Sequence, residues 1–166
     1  MAVTTEKSTQ ATNQEANNAH LETREVQGRL RIAYFDFTQG AAAGDATSTV
    51  DLIYIPAGRV RVMSKMCWVT CSAFGASRVL DVGHTGYTDE GGTAVTADPD
   101  MMADGLDVSA AADIQMGLTT STGVAAATGM THLFTSRDRT LIQAVVAGGT
   151  IPAAATLNGF LVYVND

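Results

Sequence analysis

The chain has 166 residues, which is the length of one domain with a sizeable buried core. Hydrophobic residues make up 46% and charged residues 16%, which excludes a chain that is intrinsically disordered throughout. The formal net charge is −7, and with no basic run this argues against direct nucleic-acid binding.

No stretch approaches the ~20 apolar residues of a membrane helix. The first long apolar run begins near Leu30, so the N-terminus is not typical of a secretory signal. We therefore expect synthesis in the cytoplasm, with no membrane partner. Ala, Thr and Gly are abundant and aromatic residues make up 6% of the chain, which favours an all-β fold with many turns.

Residues 1–29 are predicted to form an extended N-terminal arm. The segment is rich in Thr, Asn, Gln and Glu, and alone it cannot bury enough apolar surface to fold. A partner is expected to order it, although a short amphipathic helix over residues 16–26 that folds back on its own domain is an alternative. The expected anchors are the few apolar residues and two cations that can pair with carboxylates of the partner: Val3, Leu21, Arg24, Val26 and Arg29.

Residues 30–166 are predicted to form a jelly-roll-like β-sandwich. Short runs with alternating apolar residues are separated by turn residues at intervals of roughly 8–15 residues, which is typical of sandwiches and jelly rolls. The predicted strands cover residues 30–38, 49–55, 58–73, 77–84, 114–118, 131–135, 140–147 and 160–164.

Residues 98–105 are instead predicted to form a short helix. Asp98 can cap its N-terminus, Pro99 suits its first position, and Gly105 can close its C-terminus. Residues 123–129 are predicted to form a loop.

The run 58–73 is read as one long strand with two unlike faces. Val60, Val62, Met66 and Trp68 share one parity, and Arg59, Arg61 and Lys65 lie on the other. These three cations are a second candidate surface for an acidic partner subunit. Protection of an edge strand by charge is the alternative.

The two cysteines, Cys67 and Cys71, lie four residues apart in this run. Along a strand that separation is about 13 Å, which is too far for a disulfide. We predict two buried thiols on one strand face, as expected in a reducing compartment.

Signatures of catalysis and of cofactor binding are weak. The acidic stretch 81–113 could supply oxygen ligands for calcium, but it lacks the terminal Glu of an EF loop, and a solvated acidic loop is the favoured interpretation. His20, His84 and His132 are far apart in sequence, and no nucleophile elbow or phosphate loop occurs. We therefore predict no enzyme, no catalytic residue, no metal, no cofactor and no small-molecule substrate.

Residues 51–113 resemble small virion proteins of tailed bacteriophages. The shared features are the strand IPAG-x-V-x-V, a Ser/Ala/Gly turn, LDVG-x-T and a loop of small and acidic residues; the closing NGFLVYVND also resembles the last strand of such domains. The resemblance covers roughly residues 51–166, and capsid decoration (cement) proteins fit best. It implies a homotrimeric jelly roll that sits on the outside of the phage head and binds the major capsid protein, with a structural role.

Two other functions remain open. A tail or fibre adaptor, or the head-anchoring piece of a spike, has the same sequence features as a decoration protein. A carbohydrate-binding β-sandwich is the third hypothesis. Sugar binders offer exposed aromatic rings, and the single Trp, Trp68, lies in an apolar run, which counts against this hypothesis.

Overall fold

The computed structural model describes residues 29–44, 48–117 and 131–165. Within these ranges the chain is almost entirely β, with one 3₁₀ turn at Ser64–Met66. The strands are β1 Leu30–Thr38, β2 Thr49–Ile55, β3 Gly58–Val62, β4 Trp68–Cys71, β5 Val79–His84, β6 Tyr87–Thr88, β7 Ala94–Val95, β8 Asp98–Asp107, β9 Ala112–Gln115, β10 His132–Ser136, β11 Thr140–Ala147 and β12 Thr156–Asn165.

The strands form two antiparallel sheets that pack face to face. The six-stranded sheet has the order β10-β3-β12-β4-β9, and β1 lies along the other side of β12. The four-stranded sheet has the order β2-β11-β5-β8, and β6 and β7 form a separate small hairpin. The predicted jelly-roll-like β-sandwich is confirmed.

The core fills the space between the sheets. Strand β11 alternates strictly, so Ile142, Ala144 and Val146 are fully buried. Leu157 and Leu161 of β12 are fully buried from the opposite sheet. Burying each large aliphatic side chain contributes about 1.5–3 kcal/mol, so this interior is the main source of stability.

The predicted helix at residues 98–105 is wrong, because the segment is part of edge strand β8. Pro99 is tolerated there, since the start of an edge strand does not need every backbone donor. Met102 and Ala103 are both buried, a break in the alternation that accompanies irregular pairing between β5 and β8. Gly105 has a φ of +68°, and its N–H donates to Asp81 Oδ1 at 2.7 Å. The residues interpreted as helix caps therefore shape a bulged strand.

The single long strand predicted for residues 58–73 is also wrong. The 3₁₀ turn separates β3 from β4 and changes which parity faces the core. Val60 and Val62 are buried, but Met66 and Trp68, which share their parity, are 43% and 39% exposed. The buried parity after the turn is instead that of Cys67, Val69 and Cys71.

The predicted pair of buried, free thiols is confirmed. Burial raises the pKa of Cys67 to about 11, and the Val162 N–H donates to its Sγ at 3.3 Å. The hydrogen bond lowers this pKa, but burial outweighs it, so the thiol is protonated and enclosed. Such a thiol is a poor nucleophile, which suits a packing role.

The predictions for 30–38, 49–55 and 140–147 coincide with β1, β2 and β11 at both ends. The other predicted strands match with shifts at their ends, and the last strand begins four residues earlier than predicted, at Thr156. Residues 1–28, the loop 123–129 and the end of the predicted strand 114–118 lie outside the described residues. No helix in the described ranges is long and apolar enough to cross a membrane.

Candidate interaction face

The outward side of the six-stranded sheet carries an apolar surface. Leu30 is 55% exposed, Ile32 53% and Tyr34 72%. Strand alternation places all three on one side of β1, and Phe35 points the other way into the core. Isolated exposed apolar residues are normal, whereas a contiguous group marks an interaction site.

Three aromatic side chains form a row across this side. Tyr34 of β1 is paired with Phe160 of β12, and Phe160 is paired with Trp68 of β4. The rings of Tyr34 and Phe160 have centroids 6.1 Å apart and an interplanar angle of 60°. Since neighbouring strands lie about 4.8 Å apart, Tyr34 and Trp68 flank Phe160 at an overall spacing of about 10 Å. We give the name apolar face to the exposed residues Leu30, Ile32, Tyr34 and Trp68 together with the half-buried Phe160 between them.

Polar residues border the apolar face on one side. The next row of pairs joins Asp36, Asn158, Thr70 and Asp113 across four strands. The Thr70 hydroxyl donates to Asp113 Oδ1 at 2.7 Å. An apolar centre with a hydrogen-bonding rim is the usual composition of a protein interface.

Two of the predicted cations lie at the opposite border. Arg61 is paired with Val164, which in turn is paired with Leu30. Arg59 is exposed on the same side of β3, because Val60 between them points into the core. The apolar face therefore lies between an acidic border and a basic one.

The other predicted site residues are placed differently. Lys65 lies in the 3₁₀ turn rather than on the strand of Arg59 and Arg61, and its carbonyl accepts a hydrogen bond from the Gln115 side chain. Arg29 is exposed immediately before β1. Val3, Leu21, Arg24 and Val26 lie outside the described residues.

The apolar face itself was missed from the sequence. Its signal is that β1 is apolar at both parities, with Ile32 and Tyr34 on one side and Phe35 and Phe37 on the other. Such a pattern is typical of a strand covered on both faces, yet here one of the two faces is exposed.

Two histidines that are distant in sequence meet at one edge of the core. The rings of His84 and His132 lie 5.9 Å apart, and Tyr87 and Phe134 enclose them. His84 Nδ1 accepts from the Gly86 N–H at 3.1 Å. Within the described ranges, His132 Nε2 is buried without a hydrogen-bond partner. Burial, together with the positive charge that His84 would carry, lowers the pKa of His132 to about 4.

This cluster predicts that the protein loses stability as the pH falls from about 6.5 to about 4. The unfolded chain binds a proton at His132 throughout that window and the folded chain does not. Allowing for the partial exposure of the ring, we expect His132 to lower the free energy of unfolding by about 2 kcal/mol between pH 7.5 and 4.5, measured as the difference between the wild type and His132→Phe. The measurement is urea unfolding of the wild type and of His132→Phe at both pH values.

The difference between the two proteins is the informative quantity. Burial raises the pKa of Asp81, and the hydrogen bond that a protonated Asp100 donates to Asp98 raises the pKa of Asp100, so these carboxyls favour the folded state at low pH. Both proteins share this opposing effect, and both keep His84. If the wild type and His132→Phe lose the same stability, His132 is not held neutral in the fold.

Acidic residues of the stretch 81–113 act as local acceptors. Asp89 Oδ1 accepts from the Thr93 N–H at 2.7 Å, and Asp107 Oδ1 accepts from the Ser109 N–H at 2.9 Å. In residues 29–44, 48–117 and 131–165, no three His, Cys, Asp or Glu side chains are grouped as a metal site would require.

The chain matches no protein-family model and no curated protein. It is similar to a chain of the Cyanophage Pam1 capsid asymmetric unit, with a TM-score of 0.55 and 13% identity over 90% of this chain and 96% of that chain. A chain of the acidic stable capsid structure of Helicobacter pylori bacteriophage KHP30 gives a TM-score of 0.39 and 14% identity over 84% of this chain and 90% of that one. A chain of the infectious bursal disease virus Gx strain structure gives a TM-score of 0.44 and 12% identity over 82% of this chain and 32% of that chain. The first similarity shows a fold shared along nearly the full length of both chains.

Proposed function

We propose that the chain is a structural virion protein that decorates the outside of a tailed-phage head and stabilises the lattice of the major capsid protein. The observation that carries this proposal is the shared fold, which covers 96% of a chain of the Cyanophage Pam1 capsid. The resemblance of residues 51–113 to small phage virion proteins supports the same function. A fold alone does not define a function, so further support for this function must come from the residues on the surface.

The apolar face supports a role in a protein lattice. A monomeric protein seldom leaves Ile32, Tyr34 and Trp68 exposed side by side, because a contiguous apolar patch promotes association. In a lattice each subunit makes several contacts at once, and tethering through one raises the effective concentration for the others. We propose that the apolar face contacts the capsid and that Arg59 and Arg61 approach acidic groups of the major capsid protein.

The arm is the second proposed attachment device. Residues 1–29 precede β1 directly, so an arm bound to the capsid would lead into the strand that carries Leu30, Ile32 and Tyr34. Ordering such a segment costs about 1–2 kcal/mol per residue in backbone entropy, and buried apolar anchors must offset this cost. The proposed anchors are Val3, Leu21 and Val26, with Arg24 and Arg29 paired to carboxylates. We also propose a homotrimer, as the sequence resemblance implies.

The test is the location and copy number of the chain in purified virus particles. We expect quantitative mass spectrometry to find it at a copy number comparable to that of the major capsid protein, and antibody fragments against it to label intact particles. A few copies per particle would instead indicate a tail or fibre adaptor. Absence of the chain from particles would overturn the virion role.

Carbohydrate binding is a second candidate, because Trp68 is exposed although its place in an apolar run of the sequence counted against sugar binding. Trp68 and Tyr34 are exposed in one row, and Asp36, Asn158 and Thr70 lie beside them as hydrogen-bonding groups. Aromatic faces next to polar groups are suited to stacking on sugar rings. Affinity electrophoresis in gels containing soluble polysaccharides tests this function: retardation that Trp68→Ala abolishes would support it.

A further inference from the structure

Strand β1 presents a long, regular edge that no other described strand pairs with. It pairs with β12 in one continuous register, from Leu30 opposite Val164 to Thr38 opposite Thr156. Among the described residues no strand pairs with its other edge. Exposed edges of this kind attract further strands, and proteins usually protect them with charges, bulges or prolines. Strand β1 has no proline and no bulge, and its charged residues are Arg31 and Asp36. Between Leu30 and Tyr34 its exposed side is apolar, with Leu30, Ile32 and Tyr34.

The backbone direction of this edge follows from the register. The Gln39 N–H donates to the Ala155 carbonyl at 2.8 Å, which continues the pairing of β1 with β12. In an antiparallel ladder, alternate residues bond to the same neighbour, so odd-numbered residues such as Ala33 and Phe35 bond to β12. The N–H and C=O groups of the even-numbered residues point away from β12: Leu30, Ile32, Tyr34, Asp36 and Thr38.

We propose that this edge pairs with the same edge of a second copy of the chain, antiparallel and about a two-fold axis at Ile32. In this register Ile32 lies opposite Ile32 of the second copy, and Leu30 lies opposite Tyr34. Outward backbone groups then meet outward backbone groups, and the exposed apolar side chains meet on one side of a sheet that continues through both copies.

The sequence of β1 selects this register and this partner. A two-fold contact requires a segment that is complementary to itself, and the segment centred on Ile32 meets that requirement, with Arg31 opposite Ala33 on the other side. Shifting the register by two residues would place Asp36 opposite Leu30 and break the apolar match. The preferred register is therefore the one that keeps all exposed apolar residues together.

The expected strength of the contact is modest. Leu30, Ile32 and Tyr34 leave on the order of 300 Å² of apolar surface per copy. With the backbone edges included, the total buried area is roughly 1,000 Å², near the lower limit for a specific interface. Each copy has a net charge of −7, so salt that screens the repulsion between copies should strengthen the pairing. The inference does not depend on the proposed virion role.

The test combines sedimentation of the full chain with hydrogen exchange measured by NMR. Ile32→Lys places a charge at the centre of the contact and is expected to weaken association at least about tenfold, so that at concentrations near the wild-type Kd the variant sediments mainly without the two-fold contact. The matched control is Trp68→Lys, which charges the apolar face away from the edge and should leave association unchanged. As the wild-type concentration rises, the amides of Ile32 and Tyr34 should gain protection, whereas those of Ala33 and Phe35 are protected throughout.

Several results would overturn the proposal. Protection of the Ile32 and Tyr34 amides in a monomer would mean that residues 1–28 of the same chain cover the edge. Amides that stay unprotected at every concentration, or equal effects of Ile32→Lys and Trp68→Lys, would exclude edge pairing. A trimer unchanged by Ile32→Lys would keep the proposed homotrimer and reject the two-fold contact. Loss of capsid binding alone would leave this inference intact.

Discussion

Replacing Gly83 with alanine is expected to lower the free energy of unfolding by about 3 kcal/mol. Gly83 lies buried in β5 against edge strand β8. A Cβ there would overlap the Asp98 carbonyl oxygen and lie 2.5 Å from the Pro99 carbonyl carbon. These are backbone atoms and cannot rotate away, so the two strands would have to separate. Urea unfolding at neutral pH measures the effect.

Gly40 provides the matched control for this substitution. A Cβ at Gly40 would meet no atom within 4 Å, so Gly40→Ala is expected to leave stability unchanged or raise it by up to about 1 kcal/mol. Equal unfolding midpoints for Gly83→Ala and the wild type would contradict the close approach of β5 and β8.

The same approach explains why β8 could not be predicted from its own sequence. Asp98, Pro99 and Gly105 are favoured at helix ends, but they are equally suited to the start and the bulge of an edge strand. The choice between the two depends on Gly83 and Asp81, which lie in β5. Local signals cannot report a contact with another strand. By contrast, β11 was predicted to its boundaries because its alternation is a property of the strand itself.

The candidate site was predictable only in part, for a related reason. Arg59 and Arg61 were identified correctly as neighbours on one side of a strand, because parity holds within β3. Parity failed beyond the 3₁₀ turn, so Trp68, which shares the parity of Val60 and Val62, does not share their burial. The row from Tyr34 to Trp68 depends on the register of β1, β12 and β4. That register joins segments from both ends of the domain, and no pattern within one segment encodes it.

Replacing Tyr34 and Trp68 together with alanine is expected to weaken attachment to the virus particle by about 100-fold or more. Large aromatic residues at the centre of an interface commonly contribute about 2 kcal/mol each, and each 1.4 kcal/mol corresponds to about a tenfold change in affinity. Both side chains are exposed, so the free energy of unfolding of the variant should lie within about 1 kcal/mol of the wild-type value. Co-sedimentation with particles stripped of the chain measures the attachment.

Tyr54→Ala is the matched control for attachment through the apolar face. Tyr54 is also an exposed aromatic residue, at 56%, but it lies on β2 of the other sheet, where Arg139 stacks over its ring at 5.5 Å. It should therefore attach like the wild type.

A chain lacking residues 1–27 separates the two proposed attachment devices, because β1 begins at Leu30 and its pairing with β12 does not need the arm. If that deletion abolishes attachment and the double variant retains it, the arm alone anchors the protein and the apolar face serves another contact. If the double variant loses attachment while Tyr54→Ala keeps it, the apolar face is the capsid-binding surface.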